Sequence, residues 1–203
     1  MPVAKQANVT GFVLAGGKSS RMGDDKSLLS WNGATLLQQT QKVLGHVCEK
    51  VCILGPRNLY SDYGECIEDI YPDCGPLGGI HAALTHAQTP HSLITAVDTP
   101  FVTPEFLAYM VERALSSSSI VTAPRINGAM QPTCAVFSRN FLPIAEAALK
   151  AGKYKLEPLF PPQHTLVLTE ADLAQFANLA EMFQNLNTPQ DLEHARRRSS
   201  GQT

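Results

Sequence analysis

The chain has no apolar run approaching the roughly eighteen residues that a membrane span needs, no C-x-x-C pair and no excess of basic charge. The formal net charge is −2 with 17% charged residues. That balance excludes the wholesale nucleic-acid binding for which a domain is usually strongly basic, and it leads us to expect neither a nucleic-acid nor a membrane partner. Lys5 is followed by no apolar h-region, so no signal peptide is expected. The cysteines are five (Cys48, Cys52, Cys66, Cys74 and Cys134), an odd count that argues against a disulfide framework and for reduced thiols in a cytoplasmic compartment. No spacing supplies Cys48 and Cys52 with two further zinc ligands, so the cysteines read as small apolar side chains. The histidines show no ligand spacing, and the G-x-S-x-G elbow of serine hydrolases is missing.

What is present is the composition of a globular protein: 203 residues, 44% of them hydrophobic. One domain of that length buries about 70% of the surface its unfolded chain exposes, so we read residues 1–203 as a single domain. Short apolar runs at Val9–Ala15, Lys50–Leu54, Cys66–Asp69, Ser92–Val97, Ile120–Pro124, Thr133–Phe137 and Thr165–Leu168 read as strands. Helical stripes fall at Ala34–Val47, Leu77–Ala87, Thr103–Leu115 and Asn140–Lys150, and Thr188-Pro189 opens a last helix with Thr as cap and Pro at the first helical position. The two strands near Asn127-Gly128 are expected to pair across that turn. Alternating strands and helices imply an open α/β sheet covered on both faces. Ligands in such sheets bind past the carboxyl ends of the strands, where Gly16-Gly17, Gly55, Asp69 and Asp98 all fall.

The segment Leu14-Ala15-Gly16-Gly17-Lys18-Ser19-Ser20-Arg21-Met22-Gly23-Asp24-Asp25-Lys26 carries the strongest signal. Its glycines let the backbone turn tightly and bring N–H groups close to phosphate oxygens, while Arg21 and Lys26 add the positive charge a triphosphate needs. It is neither a Walker A loop, whose G-K-[ST] opens a helix, nor a G-x-G-x-x-G fingerprint. Asp98, at a strand end and before Thr99-Pro100, is placed either to hold Mg²⁺ or to cap its own turn. Gly75-Pro76-Leu77-Gly78-Gly79 allows close backbone approach to a base or sugar. Asn187 in Asn185-Leu186-Asn187-Thr188-Pro189 is placed as a neutral metal ligand or as a helix cap.

Together these segments resemble the molybdenum cofactor guanylyltransferases. The matching pieces are LAGGKSSRMGDDK (Leu14–Lys26), IED (Ile67–Asp69), GPLGG (Gly75–Gly79), VDTPFV (Val97–Val102) and NLNTPQDL (Asn185–Leu192), in family order over nearly the whole chain. The resemblance implies a three-layer Rossmann-like nucleotidyltransferase fold with a mostly parallel central sheet. It implies transfer of GMP from GTP to molybdopterin with release of pyrophosphate, dependent on Mg²⁺, and handover of the product to molybdoenzymes or their chaperones. By position, Leu14, Ala15, Gly16, Gly17 and Asp69 would contact the nucleotide, Lys26 its phosphates, and Arg21 the leaving pyrophosphate. Asp98 would hold the metal with help from Asn187. The N-terminal half would bind GTP; the C-terminal half, including Asn185 and Asn187 together with Arg125 and Lys153, would face molybdopterin. At the end of the second strand the family often carries an Asn that reads the base; here Leu54 and Gly55 stand there, so base recognition leans on backbone groups. The D-T-P form at Asp98 points to the guanylyl branch, since cytidylyl relatives usually resemble D-M-P. Other readings are a cytidylyl- or sugar-phosphate nucleotidyltransferase and a nucleotide-binding protein without catalysis.

Overall fold

The computed structural model describes residues 5–15, 25–31, 33–186 and 191. β1 (Gln6–Leu14) sends Val9 and Val13 to one face and Phe12 and Leu14 to the other, as the two-residue period of a strand covered on both faces requires. After it come a short antiparallel ribbon, β2 (Ser30–Trp31) with β3 (Ala34–Thr35), then α1 (Leu36–Gly45) and β4 (Cys48–Leu54). α2 (Arg57–Tyr60), β5 (Cys66–Ile67), α3 (Pro76–His86), β6 (His91–Ala96) and α4 (Pro104–Leu115) follow. The rest comprises β7 (Val121–Ile126), β8 (Ala129–Met130), β9 (Cys134–Ser138), α5 (Leu142–Lys150), β10 (Thr165–Leu168) and α6 (Leu179–Met182).

The strands form one eight-stranded sheet in the order β10-β7-β9-β6-β1-β4-β5, with β8 paired to β7. β6, β1, β4 and β5 run parallel, as do β10 and β7; β9 alone is antiparallel to both of its neighbours. Leu36, Leu37 and Leu44 of α1 and Phe106, Leu107 and Met110 of α4 fill one face. Leu77, Ile80 and Ala83 of α3 and Ala145, Ala148 and Leu149 of α5 fill the other, which gives the expected three layers. Each fully buried Phe or Leu contributes about 1.5–3 kcal/mol relative to exposure, so two packed faces rather than local propensity hold these helices.

Local chemistry moved several boundaries. The first helix begins at Leu36 rather than Ala34 because Thr35 is its cap: Gln38 N donates to Thr35 Oγ1 (3.1 Å) and Thr35 N donates to Gln38 Oε1 (2.9 Å). The strand expected over Cys66–Asp69 ends at Ile67, since its partner β4 ends at Leu54 and the last rung is Gly55 N to Ile67 O (3.0 Å). The strands on either side of Asn127-Gly128 do pair, β7 with β9, but the tight hairpin itself joins β7 to β8. Positive φ at Asn127 (49°) and Gly128 (76°) suits that two-residue turn. The helix expected from Asn140 begins at Leu142, after a 3-10 turn over Arg139–Phe141. The last expected helix, at Thr188-Pro189, lies outside the described residues.

Candidate active site

β1, β4, β5 and β6 are parallel, so Leu14, Leu54, Ile67 and Ala96 all end on one edge of the sheet. The chain leaves β1 for β4 and β5 on one side and returns to β6 on the other. The crevice outside β1 and β6 is therefore the topological switch point, where ligands of such sheets settle. The rim is stitched together by Ala15 N to Leu54 O (3.1 Å) and Val97 N to Leu14 O (3.3 Å).

Lys26 and Asp98 meet there, with Nζ 4.0 Å from Oδ2. Lys26 opens a 3-10 turn, Lys26–Leu28, capped by Asp25, whose Oδ1 accepts from Ser27 N at 2.9 Å. Only 9% of Lys26 is exposed. Burial pulls its ammonium below the usual lysine value, while the charges of Asp98 and Asp191 push it back up. Asp98 Oδ1 is buried and finds no hydrogen-bond partner among the described residues. Such an atom costs free energy unless something satisfies it. The main chain of Asp98 is held by Leu186 N, which donates to its carbonyl at 3.0 Å, and this brings the exposed Asn185 to the same edge.

On the α3 side of β1 the edge opens into a cavity of about 570 Å³, within the range of small-molecule sites. Its walls are Leu14, Leu54, Gly55, Pro56 and Gly79; Glu68, Asp69 and Asp73 supply carboxylates, and Pro72 and Gly75 complete it. Asp69 lies on an exposed stretch of chain, yet the setting of its carboxyl against α3 raises its pKa through burial. The first turn of α3 comes close: a Cβ at Gly78 would fall 2.9 Å from Asp69 Oδ2 and 2.8 Å from Tyr71 O, and one at Gly79 would fall 2.8 Å from Leu14 Cδ1. The glycines of the Gly75–Gly79 segment thus permit close approach, here of Asp69 and Leu14 to a helix start.

The structure therefore brings Leu14, Ala15, Lys26, Asp98 and Asn185 to one rim and sets Asp69 in the adjoining cavity. Gly16, Gly17, Arg21 and Asn187 lie outside the described residues. Arg125 is paired with Glu157 (3.7 Å), and Lys153 borders a groove along α5 with Pro143 and Ala147. Sequence reasoning missed a clamp between Ala15 and Asp25–Ser27, the described residues on either side of the glycine-rich segment. Ser27 Oγ donates to Ala15 O (2.7 Å), and Tyr60 Oη donates to Asp25 Oδ2 (2.5 Å), with Ala15 O at 3.3 Å. Burial and Asp25 push the Tyr60 hydroxyl well above its ordinary pKa, so it stays a donor. Nothing local marks Tyr60; only the fold carries α2 to Ala15 and Asp25. No described helix is long and apolar enough to cross a membrane.

Residues 11–166 match the family described as the MobA-like NTP transferase domain. A probable molybdenum cofactor guanylyltransferase of Pelotomaculum thermopropionicum is 36% identical over 92% of this chain and 91% of its own. The molybdenum cofactor guanylyltransferase of Vibrio cholerae is 33% identical over 95% of this chain and 93% of its own. Among solved structures, the molybdopterin-guanine dinucleotide biosynthesis protein A of Archaeoglobus fulgidus superposes with a TM-score of 0.82 at 24% identity, covering 95% of this chain and 99% of that one. The fold is shared with a 4-diphosphocytidyl-2C-methyl-D-erythritol synthase of Anaerococcus prevotii, with a TM-score of 0.69 at 12% identity over 96% of each chain.

Proposed function

The chain belongs to the MobA-like NTP transferase family, and from that premise we infer that it is a molybdenum cofactor guanylyltransferase, transferring GMP from GTP to molybdopterin. The observation that carries this reading is an apolar-walled cavity and a lysine–carboxylate pair on opposite sides of the end of one strand, β1. A guanine nucleoside fits the cavity, its triphosphate crosses the end of β1, and its α-phosphorus comes to Lys26 and Asp98. The terminal phosphate of molybdopterin is already anionic at neutral pH and needs no general base. Its oxygen forms a bond to the α-phosphorus as the bond from that phosphorus to the bridging oxygen breaks, and the electron pair leaves with pyrophosphate.

The residues do the positioning. Backbone at Leu14–Gly17 approaches the nucleotide, and Lys26 neutralises phosphate charge, with Arg21 as a second cation on the loop. A buried ammonium is strong for this task because few waters screen it. Asp98 and the Asn185–Asn187 segment suit a Mg²⁺ ion: a hard cation takes one or two carboxylate oxygens, and Oδ1 of Asp98 is a buried oxygen lacking a partner among the described residues. When bound, Mg²⁺ supplies charge neutralisation on the transferring phosphate. The C-terminal half, entering through Asn185, faces molybdopterin. Free, buried cysteines suit a reducing cytoplasm, and the finished cofactor passes to molybdoenzymes or their chaperones.

The test is pyrophosphate release from GTP, CTP, ATP and UTP with Mg²⁺ and molybdopterin. GTP should be preferred, and a preference for CTP overturns the guanylyl assignment. Asp98→Ala should lower turnover by at least 100-fold, as for loss of a group aimed at transition-state charge, about 2.7–4 kcal/mol. Near-normal turnover in that folded variant would remove Asp98 from the mechanism.

A further inference from the structure

Away from the switch point, three elements bring soft and borderline metal ligands together. Cys52 lies in β4, Glu65 just before β5, and His86 at the last turn of α3; one ligand atom from each lies within 4.8 Å of the others. The register that makes this meeting is the rung Ile53 N to Glu65 O (2.8 Å), which sets Glu65 beside Cys52. His86 Nε2 stands 3.0 Å from Glu65 Oε1. Zinc bonds of about 2.0–2.1 Å to nitrogen and oxygen place two tetrahedral ligands about 3.3 Å apart, so this pair already has close to the required separation. The thiol of Cys52 is buried beneath them, while the imidazole and carboxylate are exposed to solvent, which gives an ion a route in. A cleft of about 110 Å³ shares His86 with the cluster and is also lined by Lys50.

We propose that Cys52, Glu65 and His86 form a second metal site, for a zinc-class divalent ion, with water in the fourth position. The donor set decides the class. Thiolate and imidazole favour Zn²⁺ or Co²⁺ over Mg²⁺, which prefers oxygen, so this site and the carboxylate at Asp98 take different ions. Binding forms a metal–sulfur bond and releases the Cys52 proton to solvent. The ion joins β4, the edge strand β5 and the end of α3. Lys50 Nζ, 2.9 Å from Glu65 Oε2, competes for the same carboxylate and holds it oriented in the metal-free protein.

Co²⁺ titration of the full-length metal-free protein tests this, because a thiolate on Co²⁺ gives a near-ultraviolet charge-transfer band that an oxygen-only site does not. One equivalent should generate the band, Zn²⁺ should abolish it, and a large excess of Mg²⁺ should not. Cys52→Ser should lose the band. His86→Gln alters an exposed side chain and keeps the fold; it should weaken binding by more than the roughly 10–100-fold that loss of an outer-shell partner costs. Lys50→Gln should bind more tightly. The proposal is overturned if no thiolate band forms, if Cys52→Ser retains it, or if His86→Gln binds as the parent does.

Discussion

Tyr60 and Asp69 are single side chains that shape the candidate site in different ways. The Tyr60 hydroxyl ties Asp25 to the neighbourhood of Ala15. Tyr60→Phe removes a charge-assisted hydrogen bond to a carboxylate and should cost about 1.5–3 kcal/mol. For a chain of this length that is a fall in Tm of very roughly 3–12 °C. KM for GTP should rise with it, because Lys26 is displaced from its partner; an unchanged KM in the destabilised variant would reduce Tyr60 to a packing residue. Asp69 behaves oppositely. Burial raises its folded pKa above the ordinary carboxylate value, so the native state holds the proton more tightly than the unfolded chain. Its ionisation therefore opposes folding: stability is lost as pH rises from the unfolded value through the raised folded one. Asp69→Asn should be more stable than the parent at pH 7 and equal to it near pH 3, while binding GTP more weakly. Thermal melts at the two pH values check the sign, and a variant less stable at pH 7 contradicts it.

Elements whose ends are written in local chemistry were legible in the sequence. Thr103-Pro104 announced α4, and the structure has Thr103 as its cap, with Phe106 N donating to Thr103 Oγ1 at 3.3 Å. Thr103→Ala should cost about 0.5–2 kcal/mol by urea denaturation and leave the KM for GTP unchanged, since Thr103 does not line the cavity. Apolar runs bounded by glycine or proline located β1, β4 and β6, whose carboxyl ends carry the candidate site. Less legible were the elements defined by partners: β5 stops where β4 stops, β8 exists because Asn127-Gly128 folds it onto β7, and the β2–β3 ribbon is two residues a side. The same distinction runs through the site. Leu14, Lys26 and Asp98 could be found from motifs at strand ends, whereas Tyr60, Glu68 and Asp73 reach the rim or the cavity only through the packing of α2 and of the β5–α3 connection. His86 and Glu65 are likewise brought to Cys52 by register and helix length, which no spacing in the sequence reveals.

At the scale of the molecule, the candidate site depends on the sheet as a unit. The cavity draws on the ends of β1 and β4 and on the chain between β5 and α3, whereas Asp98 follows β6 and is held by Leu186 from the far end of the described chain. On the proposed function a nucleotide spans these parts in the folded state and has no counterpart site in the unfolded one, so it should stabilise the whole cooperative unit. At 100 times its Kd, GTP should add about 2.7 kcal/mol, a rise in Tm of about 5–11 °C for a domain of this size. Two parts of that rise can be separated. On the same reading the base and sugar act through the cavity without a metal, so guanosine alone should give a small shift that Mg²⁺ does not change. On the proposed function the triphosphate acts through Lys26, Arg21 and an ion at Asp98, so the larger shift with GTP should need Mg²⁺ and should shrink in Asp98→Ala towards the value for guanosine. If Asp98→Ala keeps the full Mg²⁺-dependent shift, the ion sits elsewhere on the nucleotide and the division of labour across the end of β1 is wrong. If guanosine gives no shift while GTP does, the cavity beside Leu54 is not where the base binds.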